Sequence, residues 1–304
     1  MRCDVLVVDG RHMLYRCADA FRDLSTEVGD ETIGTGGMYG FLSVVVRVYR
    51  RYGGRVYVAW EGKRSRNFRR TLYEGYKKRS EPDPEMMAFL EDMGKQEIRL
   101  KAMLRAAGVR QHEGEGCEAD DVIAWVARTL HPDKRVIIYT GDSDLRQLVD
   151  ERVTVVSPGF RGQDTVYNAA KVEEKHGVPP RLLADLKALA GDTSDGIPGL
   201  RGVGPKTAAQ LCQAFGGVNK IIKAARAPEG SPWPVAARFK PLIATSATDI
   251  RLFKQLTTVR ADASVRAIER KRSRDTLLKH FRVYSFHSLL QPSELHDLMQ
   301  MGIN

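Results

Sequence analysis

Short apolar runs alternate with amphipathic stretches along the first half of the chain. Four runs rich in Val, Ile and Tyr predict β-strands at residues 4–8, 55–60, 135–139 and 152–156. From residue 36 to residue 52 the apolar positions recur at three- and four-residue spacing, which predicts one helix between the first two strands. This order of elements is typical of an α/β domain with a mainly parallel sheet.

The polarity pattern changes after residue 61. A basic segment, predicted to be exposed, leads through Pro82 and Pro84 into a helix predicted to end near Ala107. Beyond residue 156 the pattern is largely helical. Helices are predicted at residues 168–176, 180–190 and 205–215, followed by a helical tail from about residue 234.

The charge composition indicates which class of binding partner the protein has. Lys and Arg number 48 against 38 Asp and Glu, which gives a net charge of +10. This excess favours a polyanionic partner, although a solvated basic surface would give the same composition. The four cysteines form no C-x-x-C pair and have no histidine at zinc-ligand spacing, which indicates reduced intracellular thiols. No apolar stretch approaches the ~18 residues of a membrane span, so we expect a cytoplasmic protein.

Acidic residues follow the predicted strands at the points where they end. Asp9 follows the first strand, Glu61 the second, and Asp142 and Asp144 the third. Because the carboxyl ends of parallel strands share one edge of a sheet, these acids are expected to converge. A further group, Glu118-Ala119-Asp120-Asp121, opens an amphipathic helix.

Each acidic group alone has an ordinary structural explanation, as a turn, an N-cap or a complement to a helix dipole. Together, however, converging carboxylates repel one another and require a cation among them. Ligation by oxygen alone suits Mg²⁺ or Mn²⁺ rather than zinc. Phosphodiester hydrolysis by two such ions is the chemistry best supported. An aspartyl-phosphate phosphatase would need a second Asp at position 11, where the chain has Arg11.

A glycine-rich turn joins two of the predicted helices. Gly202 and Gly204 would let the backbone approach a phosphate closely, and Lys206 would add positive potential at the start of the next helix. Asp192 and Asp195 lie beside this turn. A G-x-G sequence alone is weak evidence, but the whole pattern predicts a sequence-independent grip on a DNA backbone.

The basic segment after the second strand also carries aromatic residues, namely Phe68, Tyr73 and Tyr76, and one acid, Glu74. Cations that follow phosphates and rings that stack on bases are typical of single-stranded nucleic acid binding. A solvated loop anchored by its aromatic residues is the alternative. The cations are Lys63, Arg64, Arg66, Arg69, Arg70, Lys77, Lys78 and Arg79.

On these motifs the chain resembles the flap endonuclease or 5'-3' exonuclease family, which occurs free-standing in bacteriophages and as the N-terminal domain of bacterial DNA polymerase I. The resemblance covers nearly the whole chain. The most specific motifs are Glu118-Ala119-Asp120-Asp121, Thr140-Gly141-Asp142-Ser143-Asp144, and the run from Gly191 to Leu211.

The resemblance implies a PIN-like α/β fold, with a mainly parallel sheet flanked by helices. Residues 1–178 would form the nuclease domain, with a helical arch at about residues 62–107. Residues 179–304 would form a helical DNA-binding region, with a helix-three-turn-helix motif at about residues 181–215. Because no polymerase region follows residue 304, a free-standing monomer is expected, in a bacterial or phage-infected cell.

The resemblance also implies roles for individual residues. Lys77 would contact the scissile phosphate and would act in catalysis together with Asp9, Asp120 and Asp142. The first metal cluster would contain Asp9, Glu118, Asp120 and Asp142, with Glu61 as an outer ligand. The second would contain Asp144, Asp192 and Asp195, with Asp121 beside them. The residues implied to bind DNA are Arg69, Arg70, Tyr76, Lys77, Arg79, Gly202, Gly204, Lys206 and Thr207.

Three positions depart from the family pattern. Glu61 stands where the family usually has Asp, so the outer ligand reaches one methylene further. Arg79 lies two places beyond Lys77 rather than the usual three. Gly196 stands where Asn is usual, so a turn hydrogen bond is expected to be missing.

The expected function is that of a structure-specific 5' nuclease that cuts DNA at 5' ends, flaps and single-strand junctions in replication or repair. Two divalent ions, Mg²⁺ or Mn²⁺, would serve as cofactors, and the glycine turn would hold a K⁺ ion. A nuclease of the same fold directed at RNA primers is one alternative. A catalytically inert DNA-binding module is another, disfavoured by the complete set of central carboxylates.

Overall fold

A seven-stranded sheet forms the centre of the computed structural model, which describes residues 1–78 and 80–303 except for the side chain of Arg161. The spatial order of the strands is β8-β7-β6-β1-β4-β5-β9, while β2 and β3 form a separate hairpin. The strands are β1 (Val5–Asp9), β2 (Ser25–Val28), β3 (Glu31–Gly34), β4 (Arg55–Trp60), β5 (Arg110–Gly114), β6 (Val136–Tyr139), β7 (Val153–Ser157), β8 (Thr165–Tyr167) and β9 (Val265–Ile268). The five inner strands are parallel, and β8 and β9 are antiparallel edge strands.

Helices surround the sheet. The α-helices are α1 (Gly10–Ala20), α2 (Gly36–Tyr52), α3 (Asn67–Leu72), α4 (Pro84–Ala107), α5 (Ala119–Trp125), α6 (Ala169–His176), α7 (Leu183–Ala190), α8 (Pro205–Phe215), α9 (Val218–Ala225), α10 (Phe239–Thr245), α11 (Ala247–Thr257), α12 (Arg274–Val283) and α13 (Pro292–Met301). A π-helical turn (Val126–Leu130) continues α5. Short 3₁₀ turns lie at Asp144–Leu148, Phe160–Gly162, Pro180–Leu182 and His287–Leu290.

The sheet is buried on both faces. Val5 and Val7 of β1 pack into a core shared with α5 and the helices from α6 to α11. Leu6 and Val8 point to the other face, where α1, α2, α4, α12 and α13 pack. Burial on both sides explains why the central strands read as unbroken apolar runs rather than as alternating ones. The predicted fold class is confirmed.

The longest helix shows how local sequence sets element bounds. The side chain of Asp83 accepts a hydrogen bond from the backbone N–H of Met86, and Pro84 occupies the first helical position of α4. Gly108 ends the helix in the left-handed conformation, with φ of 82°. These caps set the bounds of α4, so the chain that follows the basic segment re-enters the sheet at β5, two residues after Gly108.

Two expectations about the elements are wrong. The first two predicted strands are separated by two helices, α1 and α2, with the β2–β3 hairpin between them. The tail from about residue 234, expected to be helical, also contains β9, which pairs with β5 at the edge of the sheet. Within the part of the chain that the structure describes, no helix is long and apolar enough to cross a membrane.

Candidate active site

Carboxylates converge at the carboxyl-terminal edge of the sheet. Asp9 is the last residue of β1, and its Oδ2 accepts a hydrogen bond from Thr140 Oγ1 at 2.8 Å. The same Thr140 oxygen accepts a hydrogen bond from the backbone N–H of Asp142 at 3.0 Å. Thr140 therefore fixes Asp9 beside the loop that carries Asp142. Sequence reasoning used Thr140 only as part of a motif and gave it no role.

The first cluster concentrates negative charge in a buried place. Burial, followed by the charges of Asp142 and Asp9, raises the pKa of Asp120 well above its ordinary value. Burial also raises the pKa of Asp9, although the neighbouring His12 and Thr140 oppose this effect. Carboxylates held in this way cost free energy when ionised, because each one loses water and gains a like charge. A divalent cation among them would remove that cost.

A second cluster lies next to the first. One carboxylate oxygen each from Asp144, Asp192 and Asp195 lies within 4.8 Å of the others. Burial raises the pKa of Asp144 to about 6, against the opposing charge of Lys187 and with a further contribution from Asp142. The second cluster therefore has the spacing and the donor atoms of a site for a hard divalent ion.

Lys187 lies inside the second cluster and was missed by sequence reasoning. Its Nζ donates to Asp144 and, at 2.6 Å, to Asp192 Oδ2. It lies on α7, one helical turn before Gly191. The local sequence around Lys187 does not indicate that its side chain contacts carboxylates. This contact depends on how α7 packs in the fold.

Lys77 and Tyr76 reach the clusters from the basic segment. Lys77 Nζ lies 2.7 Å from Glu118 Oε1 and 3.6 Å from Asp195 Oδ1. Although burial alone would lower the pKa of Lys77, the charges of these two acids raise it above its ordinary value. The Tyr76 hydroxyl contacts the same two acids, at 2.8 and 3.1 Å. Lys77 is therefore a fixed cation between the two clusters.

A glycine positions this part of the chain. The backbone N–H of Lys77 donates to the carbonyl oxygen of Asp195 at 2.8 Å. Gly196 has φ of 69°, and a Cβ at this position would lie 2.7 Å from the carbonyl oxygen of Gly75. The glycine found in place of the usual Asn thus allows the two segments to pack directly against each other.

Three predicted roles disagree with the structure. Arg69 is buried, and its guanidinium forms two 2.8 Å hydrogen bonds to Asp121 and one of 3.0 Å to Glu118. Arg69 therefore cannot contact DNA in this conformation. Asp121 is neutralised by Arg69 and also accepts from the backbone N–H of Arg260, so it does not offer free oxygens to a metal. Tyr76 is also buried and cannot stack on a base.

Glu61 pairs with residues outside the two clusters. Its Oε1 pairs with Arg11 Nε at 3.0 Å, and its Oε2 accepts from Ser65 at 3.4 Å. Arg11 in turn reaches Glu97 on α4 at 3.2 Å. The longer side chain of Glu61 therefore pairs with Arg11, a contact that the sequence did not indicate.

The glycine turn precedes α8 as expected. Gly202 has φ of 81°, and Gly204, which caps α8, has open space where a Cβ would be. Lys206 is exposed and Thr207 is half-buried. Backbone amides at the start of α8 are thus accessible beside a free ammonium group.

Besides Arg69, Tyr76 and Lys77, two residues of the basic segment were expected to bind DNA, namely Arg70 and Arg79. Arg70 is exposed, and its guanidinium donates to the carbonyl oxygens of Tyr76 and Lys77 at 3.3 Å each. Arg79 lies outside the described residues.

Comparison with known proteins agrees with this geometry. Residues 4–177 match the family model of the 5'-3' exonuclease N-terminal resolvase-like domain, and residues 178–276 match that of the 5'-3' exonuclease C-terminal SAM fold. A 5'-3' exonuclease of Aquifex aeolicus is 35% identical over 218 residues, which cover 71% of this chain and 71% of the relative. DNA polymerase I of Deinococcus radiodurans is 36% identical over 232 residues, which cover 75% of this chain but 23% of the relative. The matched part of the chain spans about a quarter to a third of the length of the polymerase relatives.

Solved structures share the fold over nearly the whole chain. The T5 D15 protein co-crystallised with metal ions matches with a TM-score of 0.66 at 19% identity, covering 98% of this chain and 99% of that one. The catalytic core of Rad2 in complex with DNA substrate matches with a TM-score of 0.59 at 16% identity, covering 99% and 92%. The family expected from the sequence is confirmed: the chain belongs to the 5'-3' exonuclease family.

Proposed function

We propose that this chain is a structure-specific 5' nuclease that hydrolyses DNA phosphodiesters with two divalent metal ions, in replication or repair. The observation that carries the proposal is the pair of adjoining carboxylate clusters at one edge of the sheet, where desolvation and the charges of Asp142 and Asp9 raise the pKa of Asp120. Such an arrangement is costly for a fold and is expected only where a cation is used.

The donor set fits hard divalent ions. Asp9, Glu118, Asp120 and Asp142 would hold one ion, and Asp144, Asp192 and Asp195 would hold the other. All of these donors are carboxylate oxygens, which suits Mg²⁺ or Mn²⁺. When bound, two such ions activate water and stabilise charge on the scissile phosphate. Glu61 is left out of this set because it pairs with Arg11, and Asp121 because both of its oxygens accept from Arg69. Glu118 also pairs with Arg69, but it is kept because Lys77 links it to Asp195 of the second cluster.

The chain's own cations complement this chemistry. Lys77 places an ammonium group between the clusters, where negative charge would develop on the phosphate. Lys187 neutralises part of the second cluster until metal binds. The glycine turn, with Gly202, Gly204, Lys206 and Thr207, would hold the phosphates of the duplex and, on its carbonyl oxygens, a K⁺ ion.

The relatives support a DNA substrate and a bacterial setting. Similar structures include a T5 D15 flap endonuclease complex with DNA and metal ions and human GEN1 in complex with Holliday junction DNA. The curated relatives come from bacteria such as Aquifex aeolicus. We therefore propose flaps, 5' ends and junctions as substrates, a monomer as the working form, and the cytoplasm of a bacterial or phage-infected cell as its location.

One assay tests the proposed function directly. Flap, nicked and single-stranded substrates labelled at the 5' end, with either a DNA or an RNA 5' strand, are incubated with Mg²⁺, Mn²⁺ or a chelator. Cleavage near the junction of the DNA flap, with metal only, is expected. A preference for the RNA strand would favour the primer-directed alternative. Tight binding without cleavage under any metal would indicate an inert binding module.

Metal binding is expected to depend on pH through the second cluster. The pKa of Asp144, about 6 in the fold, lies above its ordinary value of 3.8, so the folded chain binds this proton more tightly than the unfolded chain does. The metal-free chain therefore loses stability from this group as pH rises through about 6, while the ionised form becomes available to a metal.

The rise in melting temperature caused by Mn²⁺ should accordingly be larger at about pH 7.5 than at about pH 5. Differential scanning calorimetry at constant ionic strength measures it. Asp144→Asn serves as the comparison, because it should reduce both the Mn²⁺ effect and its pH dependence. Equal Mn²⁺ effects at the two pH values in the wild type would contradict the assignment.

Lys206→Ala is expected to weaken binding to duplex-containing substrates regardless of sequence. Losing one phosphate contact should reduce the slope of log affinity against log salt by about 0.9. Fluorescence anisotropy over a salt series, with Ca²⁺ to prevent cleavage, measures the slope. Lys134→Ala removes an exposed lysine just before β6, at the opposite edge of the sheet, and should leave it unchanged. A loss confined to particular sequences would exclude a backbone contact.

A further inference from the structure

A second polar cleft lies near the amino-terminal ends of β4 and β5, on the opposite edge of the sheet from the carboxylates. Its volume is about 250 Å³. Its lining includes Tyr57, Arg110, His112, Leu130 and Arg270, and among the described residues of the chain no Asp or Glu lines it. The cleft therefore combines cations and aromatic rings without an acidic partner in its wall.

Two nitrogens at this cleft are buried without a hydrogen-bond partner among the described residues. They are Nη1 of Arg110 and Nδ1 of His112. A buried nitrogen that loses water without gaining a partner destabilises the fold, and more so when the group is charged. Native proteins rarely leave such groups unsatisfied. Arg110 and His112 lie two positions apart on β5. A ligand that accepts hydrogen bonds would satisfy Arg110 Nη1, and also His112 Nδ1 in the tautomer that carries its proton there.

The electrostatics point to an anion. Burial, and then the charges of Arg270 and Arg55, lower the pKa of Arg110. Burial, and then the charges of His131 and Arg110, lower the pKa of His112 to about 4. Positive groups therefore repel one another here, as the carboxylates do at the other edge. An anion would relieve this repulsion just as a metal ion relieves that of the acids.

The wall of the cleft contains an unusual backbone feature. The π-helical turn Val126–Leu130 places Leu130 in the wall and ends at His131, whose N–H donates to the carbonyl oxygen of Val126 at 3.1 Å. His131 Nε2 then lies 2.8 Å from the hydroxyl of Tyr57. Single π-helical turns are rare and occur frequently at functional sites.

We propose that this cleft binds a phosphate group through Arg110, His112 and Arg270. A guanidinium matches the oxygens of a phosphate with two parallel hydrogen bonds. The volume lies below the ~300 Å³ at which pockets for drug-sized ligands begin, so the cleft fits a phosphate or the phosphate end of a nucleotide. This ligand site is separate from the nuclease site, and phosphate binding there would be an activity additional to the proposed function.

Thermal unfolding in a chelator tests the site, because removing divalent ions prevents metal-mediated phosphate binding at the carboxylates. Inorganic phosphate, compared with NaCl at equal ionic strength, should raise the melting temperature of the wild type by about 2 to 4 °C. Arg110→Gln should abolish this rise and, in NaCl, should melt no lower than the wild type because repulsion is relieved. Arg135→Gln, an exposed arginine just before β6 that pairs with Asp4, is the matched control and should retain the rise.

A second variant and a second readout cover the case in which Arg110→Gln does not fold. Arg270 is exposed, so Arg270→Gln should fold and should weaken the phosphate effect. Proton NMR of the imidazole of His112, assigned with His112→Gln, should show that phosphate raises its pKa from about 4.

Titrations with a 5'-mononucleotide and with a short duplex distinguish a free ligand from a DNA backbone phosphate. If Arg270→Gln no longer binds one of these probes, that result supports the site. Equal phosphate effects in the wild type and in the folded variants, or no effect in the wild type, would overturn the proposal. Cleavage of flap DNA tests the nuclease site separately.

Discussion

Alanine at Asp120 or at Asp142 is expected to slow cleavage about 10³-fold while DNA binding remains nearly intact. Each carboxylate is proposed to ligate metal in the transition state, and losing about 4 kcal/mol of that stabilisation corresponds to a slowing on the order of 10³-fold. Binding should survive because the glycine turn and the exposed cations grip the backbone elsewhere. Single-turnover rates at saturating enzyme, together with affinities in Ca²⁺, separate the two effects.

A substitution at Asp120 that removes the charge should not lower the stability of the metal-free protein, and this provides the folding control. Asp120→Asn keeps the shape of the side chain but removes a charge that desolvation and the charges of Asp142 and Asp9 disfavour. Its melting temperature in a chelator should therefore be no lower than that of the wild type. Asp133→Ala, an exposed acid at the opposite edge of the sheet, should change neither rate nor stability. Near-normal cleavage by Asp120→Ala or Asp142→Ala would remove the two-metal assignment.

The sequence predicted those parts of the site that depend on local pattern. Asp9 and Asp142 were placed because they directly follow buried apolar runs, and parallel strands end at one edge. The helix over Gly36–Tyr52 was predicted because its apolar spacing extends over more than four turns. These predictions agree with the fold because the free energy gained by burying a long apolar run or stripe outweighs most other local preferences.

Short and polar elements were missed for a physical reason. β5 reads Arg-Gln-His-Glu-Gly, and β9 is four residues long with exposed positions in its centre. Neither contains an apolar run from which a strand could be predicted. β5 is fixed instead by its pairing with β4 after α4 ends at Gly108, and β9 by its pairing with β5. Both depend on contacts remote in sequence.

Charge partners were the least predictable part of the site. Arg69 and Lys77 belong to one basic run, yet Arg69 is buried on Asp121 whereas Lys77 reaches Glu118. The basic run gave both the same expectation, contact with nucleic acid, and only the family resemblance gave Lys77 a catalytic role. Which cation turns inward is decided by where α3 docks, and α3 contacts α11, far away in the chain. Lys187 was overlooked for the same reason.

Lys77→Ala is expected to lower the single-turnover cleavage rate by about 10² to 10³-fold with little loss of affinity. The ammonium group lies between Glu118 and Asp195, at 2.7 and 3.6 Å, and is held there by the Lys77 backbone as well as by its charge. A fixed cation at the junction of the two clusters can stabilise charge that develops on the scissile phosphate, and removing one such group typically costs about 3 to 4 kcal/mol.

Neighbouring cations supply the matched comparison. Arg70 and Lys78 belong to the same basic segment, but both are exposed, and Lys78 pairs only with Glu74 of the same segment among the described residues. Lys78→Ala should therefore weaken binding slightly and leave the rate at saturating enzyme unchanged. Arg70→Ala should also lower the rate somewhat, because the Arg70 guanidinium holds the carbonyl oxygens of Tyr76 and Lys77. Lys77→Arg keeps the charge but not the geometry, so it should recover part of the rate. If Lys77→Ala changed affinity alone, as Lys78→Ala is expected to do, Lys77 would be part of a passive channel for the strand, and the clusters would act without a protein cation between them.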